Sequence, residues 1–136
     1  MTTSAYAAPT VRSSSAFWRP AALAAVGAAA ATTAVAALAH AVGVSLAIAG
    51  EQIPLAGFTQ LTLMFAAIGV LFAAALRTWA RSPRTVFVRT TIALTALSLV
   101  PDLIVNAAAD TKLTLMLTHL VAAAIVIPAV ATRLDA

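Results

Sequence analysis

Residues 111–128 read TKLTLMLTHLVAAAIVIP, and this run decides the fold. After Lys112 the chain carries no Asp, Glu, Lys or Arg until Arg133, a distance of about 20 residues, which a helix needs to cross about 30 Å of hydrocarbon. We therefore predict a membrane-spanning helix here. Because backbone polar groups must be paired inside hydrocarbon, the other apolar runs also have to be helices.

The composition excludes several classes of protein. With 62% hydrophobic and 9% charged residues, the chain is too apolar for a soluble domain and indicates an integral membrane protein. The basic residues lie beside apolar runs, not among stacking aromatics, so we predict no nucleic-acid partner. The absence of cysteine excludes thiolate chemistry, and no phosphate-binding loop, metal signature or catalytic triad spacing occurs. We predict neither a cofactor nor a metal.

The hydropathy pattern predicts an all-α membrane protein, a bundle of four transmembrane helices. The spans are expected at about residues 20–42, 58–79, 83–105 and 111–133, within a single domain over residues 18–136. Residues 1–17 are rich in Ser, Thr and Ala and are expected to form a disordered tail. A cleaved signal peptide over residues 1–39 is the alternative, with basic residues before an apolar run and a small-residue cleavage site.

The connections between the spans predict the topology. Weak alternation around residues 49–52 predicts a short β-hairpin on the membrane surface between helices 1 and 2. Seven of the eight basic residues fall at the N-terminus, between spans two and three, or at the C-terminus, and only Lys112 lies on the other side. The excess of basic residues on one side predicts that both termini are cytoplasmic, in a multi-pass protein of the plasma membrane.

Small residues at helical spacing predict close helix contacts. Gly27 with Ala31, and Gly69 with Ala73, have the four-residue spacing that lets helix backbones approach each other. Ser82 and Pro83 are expected to start the third helix, and Asp110 is expected to cap the fourth. Beyond the lipid bilayer, the candidate partners are a second copy of the chain and another membrane protein.

Few polar side chains interrupt the spans. Thr91, Thr95, Ser98 and Asp102 recur at intervals of four, three and four, which places them on one face of the third helix. Such a stripe is typical of hydroxyls that bond to another helix or back to their own, and a proton or substrate path is the alternative.

Two histidines are predicted near the outer side of the membrane. His119 is expected about 9 Å and His40 about 5 Å below the outer boundary. An outer polar cluster of His40, Gln60, Asp102 and His119 is therefore allowed. His119 and Asp102 are the candidate catalytic residues, and His40, His119 and Gln60 are the candidates for binding a cofactor. The competing interpretation is that each histidine only bonds a neighbouring helix.

Three segments resemble a known family. They are residues 53–59 (IPLAGFT), residues 98–102 (SLVPD) and residues 115–123 (LMLTHLVAA). In these segments the chain resembles a family of small four-span membrane proteins of unknown function from high-GC Gram-positive bacteria, over about residues 24–134. The resemblance implies a four-helix membrane bundle and implies no activity, substrate or cofactor.

Three functions are compatible with the sequence. The first is a structural or partner-binding helix bundle without enzymatic activity. The second is a membrane enzyme or cofactor-binding protein, with His119 as base or ligand and Asp102 as its orienting carboxylate. The third is a small transporter subunit. It is disfavoured because transporters usually carry an ionisable carboxylate in the middle of a span, whereas Asp102 is expected near an interface.

Overall fold

A computed structural model describes residues 15–134 and shows four helices and one strand pair. The elements are α1 (Ser15–Ala41), β1 (Ala47–Ile48), β2 (Glu51–Gln52), α2 (Leu55–Trp79), α3 (Pro83–Ile104) and α4 (Ala109–Ala131). All four helices are long and apolar enough to cross a membrane. The predicted four-helix bundle and the predicted hairpin between helices 1 and 2 are therefore confirmed, and the chain is an integral membrane protein.

The predicted tail overlaps the first helix. Residues 15–17 were assigned to the tail, but they are helical, and Phe17 is 2% exposed. This correction has a physical reason: the Phe17 ring lies among apolar residues of the bundle and under the Arg77 guanidinium, 4.6 Å from the ring centroid. The part of the predicted tail and signal peptide in residues 1–14 lies outside the described residues.

The helices do not pack equally. α1 packs mainly on α4 and α2, whereas α3 packs mainly on α4 and less on α2. Within the most apolar window of each helix, 28% of the residues are buried in α1 and 11% in α3. α3 is thus the least buried of the four helices, and α4 is its main neighbour.

Two apolar cores hold the bundle. The terminal core lies at the end where the first and last described residues meet, and the hairpin core lies at the opposite end beneath the strand pair. The terminal core consists of Phe17, Ala21, Val70, Ala73, Leu76, Phe87, Val130, Ala131 and Leu134. The hairpin core consists of Ala36, Leu46, Phe58 and Leu115. Since Phe17 and Leu134 share one core, the first and last described residues lie on the same side of the bundle.

The strand pair closes the end opposite the terminal core. α1 ends at Ala41. Gly43 follows with a φ of +99°, which suits glycine, and the amides of Gly43 and Val44 bond the carbonyls of His40 and Ala39. Ala49 and Gly50 then form the two-residue turn between the strands, both with positive φ, as a type I′ turn requires. The Ala49 amide bonds the carbonyl of Asn106 at 2.8 Å, which ties this hairpin to the loop between α3 and α4.

Helix starts agree with the sequence analysis only in part. Ser82 precedes α3 and Pro83 starts it, as predicted, but Ser82 makes no side-chain capping hydrogen bond. Asp110 is not the cap of α4. The capping position is Ala108, and Asp110 lies in the first turn, where its Oδ1 accepts a hydrogen bond from the Thr111 amide at 2.7 Å. The carboxylate is favourable there because the amides of the first helical turn are exposed.

The two glycine faces do not form contacts inside the bundle. A Cβ added at Gly27 or at Gly69 would meet no other atom within 4 Å. The predicted close approach of helices at these glycines is therefore wrong for the single chain. Ala73 on α2 is fully buried, so α2 uses the alanine of its predicted pair and leaves the glycine on an open face.

Candidate functional site

A carboxylate and an imidazole meet where the last turn of α3 faces α4. Asp102 is two residues from the end of α3, and His119 lies ten residues after the start of α4. Oδ2 of Asp102 is 2.9 Å from Nδ1 of His119. The structure thus brings together the two residues predicted as orienting carboxylate and base, and we call them the Asp102–His119 pair. Their chemical roles stay a prediction.

The neighbours of Nδ1 assign the proton on the imidazole. Besides Asp102, Nδ1 lies 3.0 Å from the carbonyl oxygen of Leu115, one turn earlier on α4. A carbonyl and a carboxylate only accept hydrogen bonds, so we assign the proton to Nδ1, and Nε2 is then an acceptor in the neutral ring. Among residues 15–134, no side chain or backbone group bonds Nε2.

The Asp102 carboxylate lies close to the imidazole but forms no well-aligned hydrogen bond with it. Oδ2 is buried and, although it lies at ion-pair distance from Nδ1, it has no aligned hydrogen-bond partner among the described residues. The alignment favours Leu115 as the acceptor of the Nδ1 proton. Asp102 is also 8% exposed and sits at the negative end of the α3 dipole. A titratable side chain at such a place within a span is typical of a functional position.

The pair lies inside the apolar part of the bundle. His119 is ten residues beyond Ala109, the first residue of α4, which corresponds to about 15 Å along the helix. Asp102 contacts His119 at this depth, although it is close to the end of its own helix. α3 therefore ends lower in the bundle than α4 begins, and the expectation that Asp102 sits near a membrane interface stays a prediction.

The hydroxyls of the predicted stripe bond their own helix. Thr91 donates to the carbonyl of Phe87 at 2.7 Å, Thr95 to that of Thr91 at 2.8 Å, and Ser98 to that of Thr95 at 2.7 Å. Of the two predicted bonding modes, the structure shows the one directed back along the helix. Asp102 is thus the member of the stripe that connects α3 to α4 through a polar contact.

An apolar crevice opens below the Asp102–His119 pair, between α3 and α4. Its volume is about 460 Å³, and it is lined by Ile92, Thr95, Ala96, Leu99, Leu120, Ala123, Ala124, Ile127 and Pro128. Leu99 is one turn before Asp102 on α3, and Ala123 is one turn after His119 on α4. Residues three or four apart share a helix face, so the pair and the crevice lie on the same faces of the two helices.

The other two predicted members of the polar cluster lie elsewhere. Ala36 and Leu115 pack in the hairpin core, His40 is four residues further outward on α1, and His119 is four residues further inward on α4. Eight residues correspond to about 12 Å, so the expectation that both imidazoles share a layer is wrong. His40 lies with Gln52 in a separate cavity of about 160 Å³ beside the hairpin, and Gln60 is exposed on α2.

Sequence reasoning missed a second polar contact, between α1 and α2. Thr32 and Thr62 oxygens lie 2.9 Å apart, and those of Thr33 and Thr59 lie 2.6 Å apart. The available signal was two threonine pairs inside apolar spans, adjacent in α1 and three residues apart in α2. Hydroxyls in hydrocarbon need partners, which here are found across the helix interface.

The described residues contain no metal-binding group. No set of three or more His, Asp or Glu side chains in residues 15–134 is arranged to hold a metal ion. The Asp102–His119 pair alone offers two ligands, fewer than the three or four protein ligands of most zinc sites. An imidazole and a carboxyl group in contact can take part in hydrogen bonding and proton exchange.

Comparisons with known proteins identify a family and no activity. A family model described as "Family of unknown function (DUF6069)" matches residues 12–136, which is nearly the whole chain. No curated protein and no solved structure matches the chain. Function therefore has to be argued from the residues themselves.

Proposed function

The chain belongs to the DUF6069 family of unknown function, and on that premise we propose that it is a non-enzymatic membrane protein that binds a lipophilic molecule. The apolar body of this molecule lies in the crevice between α3 and α4, and its polar end contacts the Asp102–His119 pair. The supporting observation is that Asp102 and His119 each lie one helical turn beyond residues that line the crevice, on the same helix faces. Ligand pockets commonly combine apolar walls with few polar groups.

The energetics of the imidazole support a polar ligand group at this place. The His119 side chain is 41% exposed, and Nε2 has no partner in the described part of the chain. A polar group without a hydrogen bond in an apolar medium costs about 2–7 kcal/mol relative to water. A ligand with a polar end at Nε2 removes this cost. Helix packing alone does not require an imidazole nitrogen without a partner.

The crevice can be tested by filling it. Ala96 lines the crevice on α3, whereas Ala67 is exposed on α2 and does not. We expect Ala96→Phe to reduce the amount of lipophilic molecule that copurifies with the full chain, and the matched control Ala67→Phe to retain it. The measurement is mass spectrometry of organic extracts from the purified wild type and both variants at equal protein amounts. Equal extracts from all three proteins contradict the proposal.

A second candidate function is that of a structural or partner-binding bundle, with a second copy of the chain as the partner. The observation that favours it is the open space at Gly27 and Gly69, where another helix backbone can approach closely. Concentration-dependent dimerisation in nanodiscs, lost in Gly27→Leu, supports this candidate. A monomer at all concentrations removes it.

We also propose that the protein lies in the plasma membrane with both termini in the cytoplasm. The arginine asymmetry supports this orientation, because Arg77, Arg81 and Arg84 flank the connection at the end that carries the terminal core. A reporter fused after Ala136 is expected to score as cytoplasmic, and one inserted at Gly50 as external. An external reporter at Ala136 overturns the orientation.

A further inference from the structure

We infer that the polar end of the ligand is an acidic hydroxyl, such as a phenol or a hydroquinone, that donates its hydrogen bond to Nε2 of His119. This inference rests on the proposed function. It specifies the chemistry of the ligand's polar end from the geometry around the imidazole.

The direction of the hydrogen bond follows from the tautomer. Nδ1 faces two acceptors, the carbonyl of Leu115 at 3.0 Å and the carboxylate of Asp102 at 2.9 Å, so it holds the ring proton. The remaining nitrogen of the neutral imidazole has a lone pair and no proton. A carbonyl, an ether or an ester cannot bond it, whereas a hydroxyl donates directly into it.

The carboxylate makes this nitrogen a better acceptor. Asp102 beside the Nδ1 proton favours a positive ring, as second-layer carboxylates do for histidines in metal and catalytic sites. When the ligand is acidic, its O–H bond breaks, the proton forms an N–H bond at Nε2, and the ligand oxygen becomes an anion. The imidazolium then lies between the two negative oxygens, so no net charge is added to the hydrocarbon.

The other helices contribute no competing charge at this level. On α1, Arg19 lies near the terminal core and His40 lies about 12 Å above His119. On α2, Arg77 lies beside the terminal core, over Phe17. On α4 the charged side chains in the described residues are Asp110 and Lys112 in the first turn, and Lys112 Nζ donates to the carbonyl of Leu103. Asp102 is therefore the charged group in contact with the imidazole.

The crevice selects the body of the ligand. Its walls are apolar apart from Thr95, whose hydroxyl proton is already donated to the carbonyl of Thr91. The Thr95 oxygen can only accept a further hydrogen bond, so it also favours a donor and offers nothing to a carbonyl. An alkyl or isoprenoid chain fits these walls, and a phosphate or a sugar does not.

A chromophoric phenol tests the inference directly. The probe is a dodecyl-substituted nitrophenol, whose anion absorbs visible light, and the control probe is its methyl ether, which has no proton to donate. Binding of each probe is measured in nanodiscs containing the full chain, relative to empty nanodiscs of the same lipid. We expect the wild type to bind the phenol about tenfold more tightly than the ether, the equivalent of one hydrogen bond. At fixed pH the wild type should also increase the ionised fraction of the phenol.

Two variants separate a proton acceptor from a structural residue. His119→Gln should leave the ionised fraction at its value in empty nanodiscs, because its amide oxygen accepts a hydrogen bond but does not take up a proton, while circular dichroism and melting stay close to the wild type. Asp102→Asn should retain the phenol preference in part and produce a smaller ionised fraction, because the charge beside Nδ1 is lost. A structural role alone would not change the ionised fraction.

The outcomes distinguish the two proposals. If neither probe binds more than to empty nanodiscs, or if Ala96→Phe leaves both bound, the crevice is not a ligand site and the proposed function fails with the inference. If Ala96→Phe releases both probes but the wild type shows no preference for the phenol, the crevice binds ligands and only the inference is overturned. An ionised fraction in folded His119→Gln that equals that of the wild type also overturns it.

Discussion

The α1–α2 interface and the α3–α4 interface differ in how their hydroxyl groups are hydrogen-bonded. Between α1 and α2, threonine hydroxyls bond across the interface at 2.9 and 2.6 Å. Along α3, the hydroxyls bond their own helix. The contacts with α4 are made at the Asp102–His119 pair, at the adjacent Leu103 carbonyl, which accepts from Lys112, and, in the terminal core, by Phe87. The space between the pair and Phe87 is the crevice. One interface is closed along its length, and the other is held at its ends.

A membrane bundle can keep a binding site at an interface that is held only at its ends. Apolar side chains gain little by meeting each other in lipid, so helices associate through close packing and polar contacts. A helix that is held at two points needs no close packing and no polar contact along the segment between those points. α3 can therefore leave a crevice for a ligand without detaching from the bundle, provided that both contacts hold.

The largest effect is expected at the apolar contact of α3. Phe87 is fully buried in the terminal core, and Phe→Ala in a packed core typically costs about 3–5 kcal/mol. We expect Phe87→Ala to lower the free energy of unfolding by an amount in this range and to loosen α3 selectively. The measurement is unfolding in mixed detergent micelles, with Leu97→Ala as the control, because Leu97 is 64% exposed. Similar losses in both variants would mean that α3 is not held at this end.

The polar contact of α3 is expected to have a moderate effect. In a double-mutant cycle with Asp102→Asn and His119→Gln, we expect a coupling of about 1 kcal/mol, within the range measured for polar contacts inside membrane bundles. The two side chains are 2.9 Å apart. Each single substitution therefore weakens the contact made by the residue that remains, which gives rise to the coupling. Unfolding free energies of the wild type, both single variants and the double variant give the value. Strictly additive losses would show that the pair does not hold α3.

A smaller coupling is expected across the closed interface. Thr33→Val and Thr59→Val each remove one hydroxyl of the 2.6 Å contact and keep the side-chain shape. The expected coupling is about 0.6 kcal/mol, the average for such contacts, because close packing of α1 on α2 persists in the variants. The same unfolding assay measures it. A coupling larger than that of the Asp102–His119 pair would reverse the comparison between the two interfaces.

The long apolar runs made the four helices predictable. Their lengths match the hydrocarbon thickness, and the connections carry charged, proline and glycine residues, so four helices were expected in the order in which the structure shows them. The hairpin was predictable because Gly50 supplies a positive φ at the turn. These features depend on local sequence, which a single chain displays fully.

The site was predictable only in its residues. Asp102 and His119 were identified because charged and titratable groups are rare in spans, but their depth was not, because it depends on how far α3 ends below the start of α4. The rotation of each helix about its own axis was also not predictable from the sequence. The spacing of Gly27 and Ala31 is compatible with any rotation of α1, and the choice of face depends on packing with α4 and α2.

The smallest effect is expected at the open face of α2. The sequence alone predicts that Gly69→Leu overpacks a close contact, at a cost of about 1–3 kcal/mol. The structure reverses this expectation, because a Cβ at Gly69 meets nothing within 4 Å, so we expect a change within about 0.5 kcal/mol, as for surface substitutions. The control is Ala73→Leu, one turn away and fully buried, which should cost about 1–3 kcal/mol. Thermal unfolding of the monomer in detergent measures both. If Gly69→Leu destabilises the monomer as much as Ala73→Leu, the glycine face is packed inside the bundle. If it leaves the monomer unchanged but abolishes a dimer in nanodiscs, the open face of α2 is where a second copy binds.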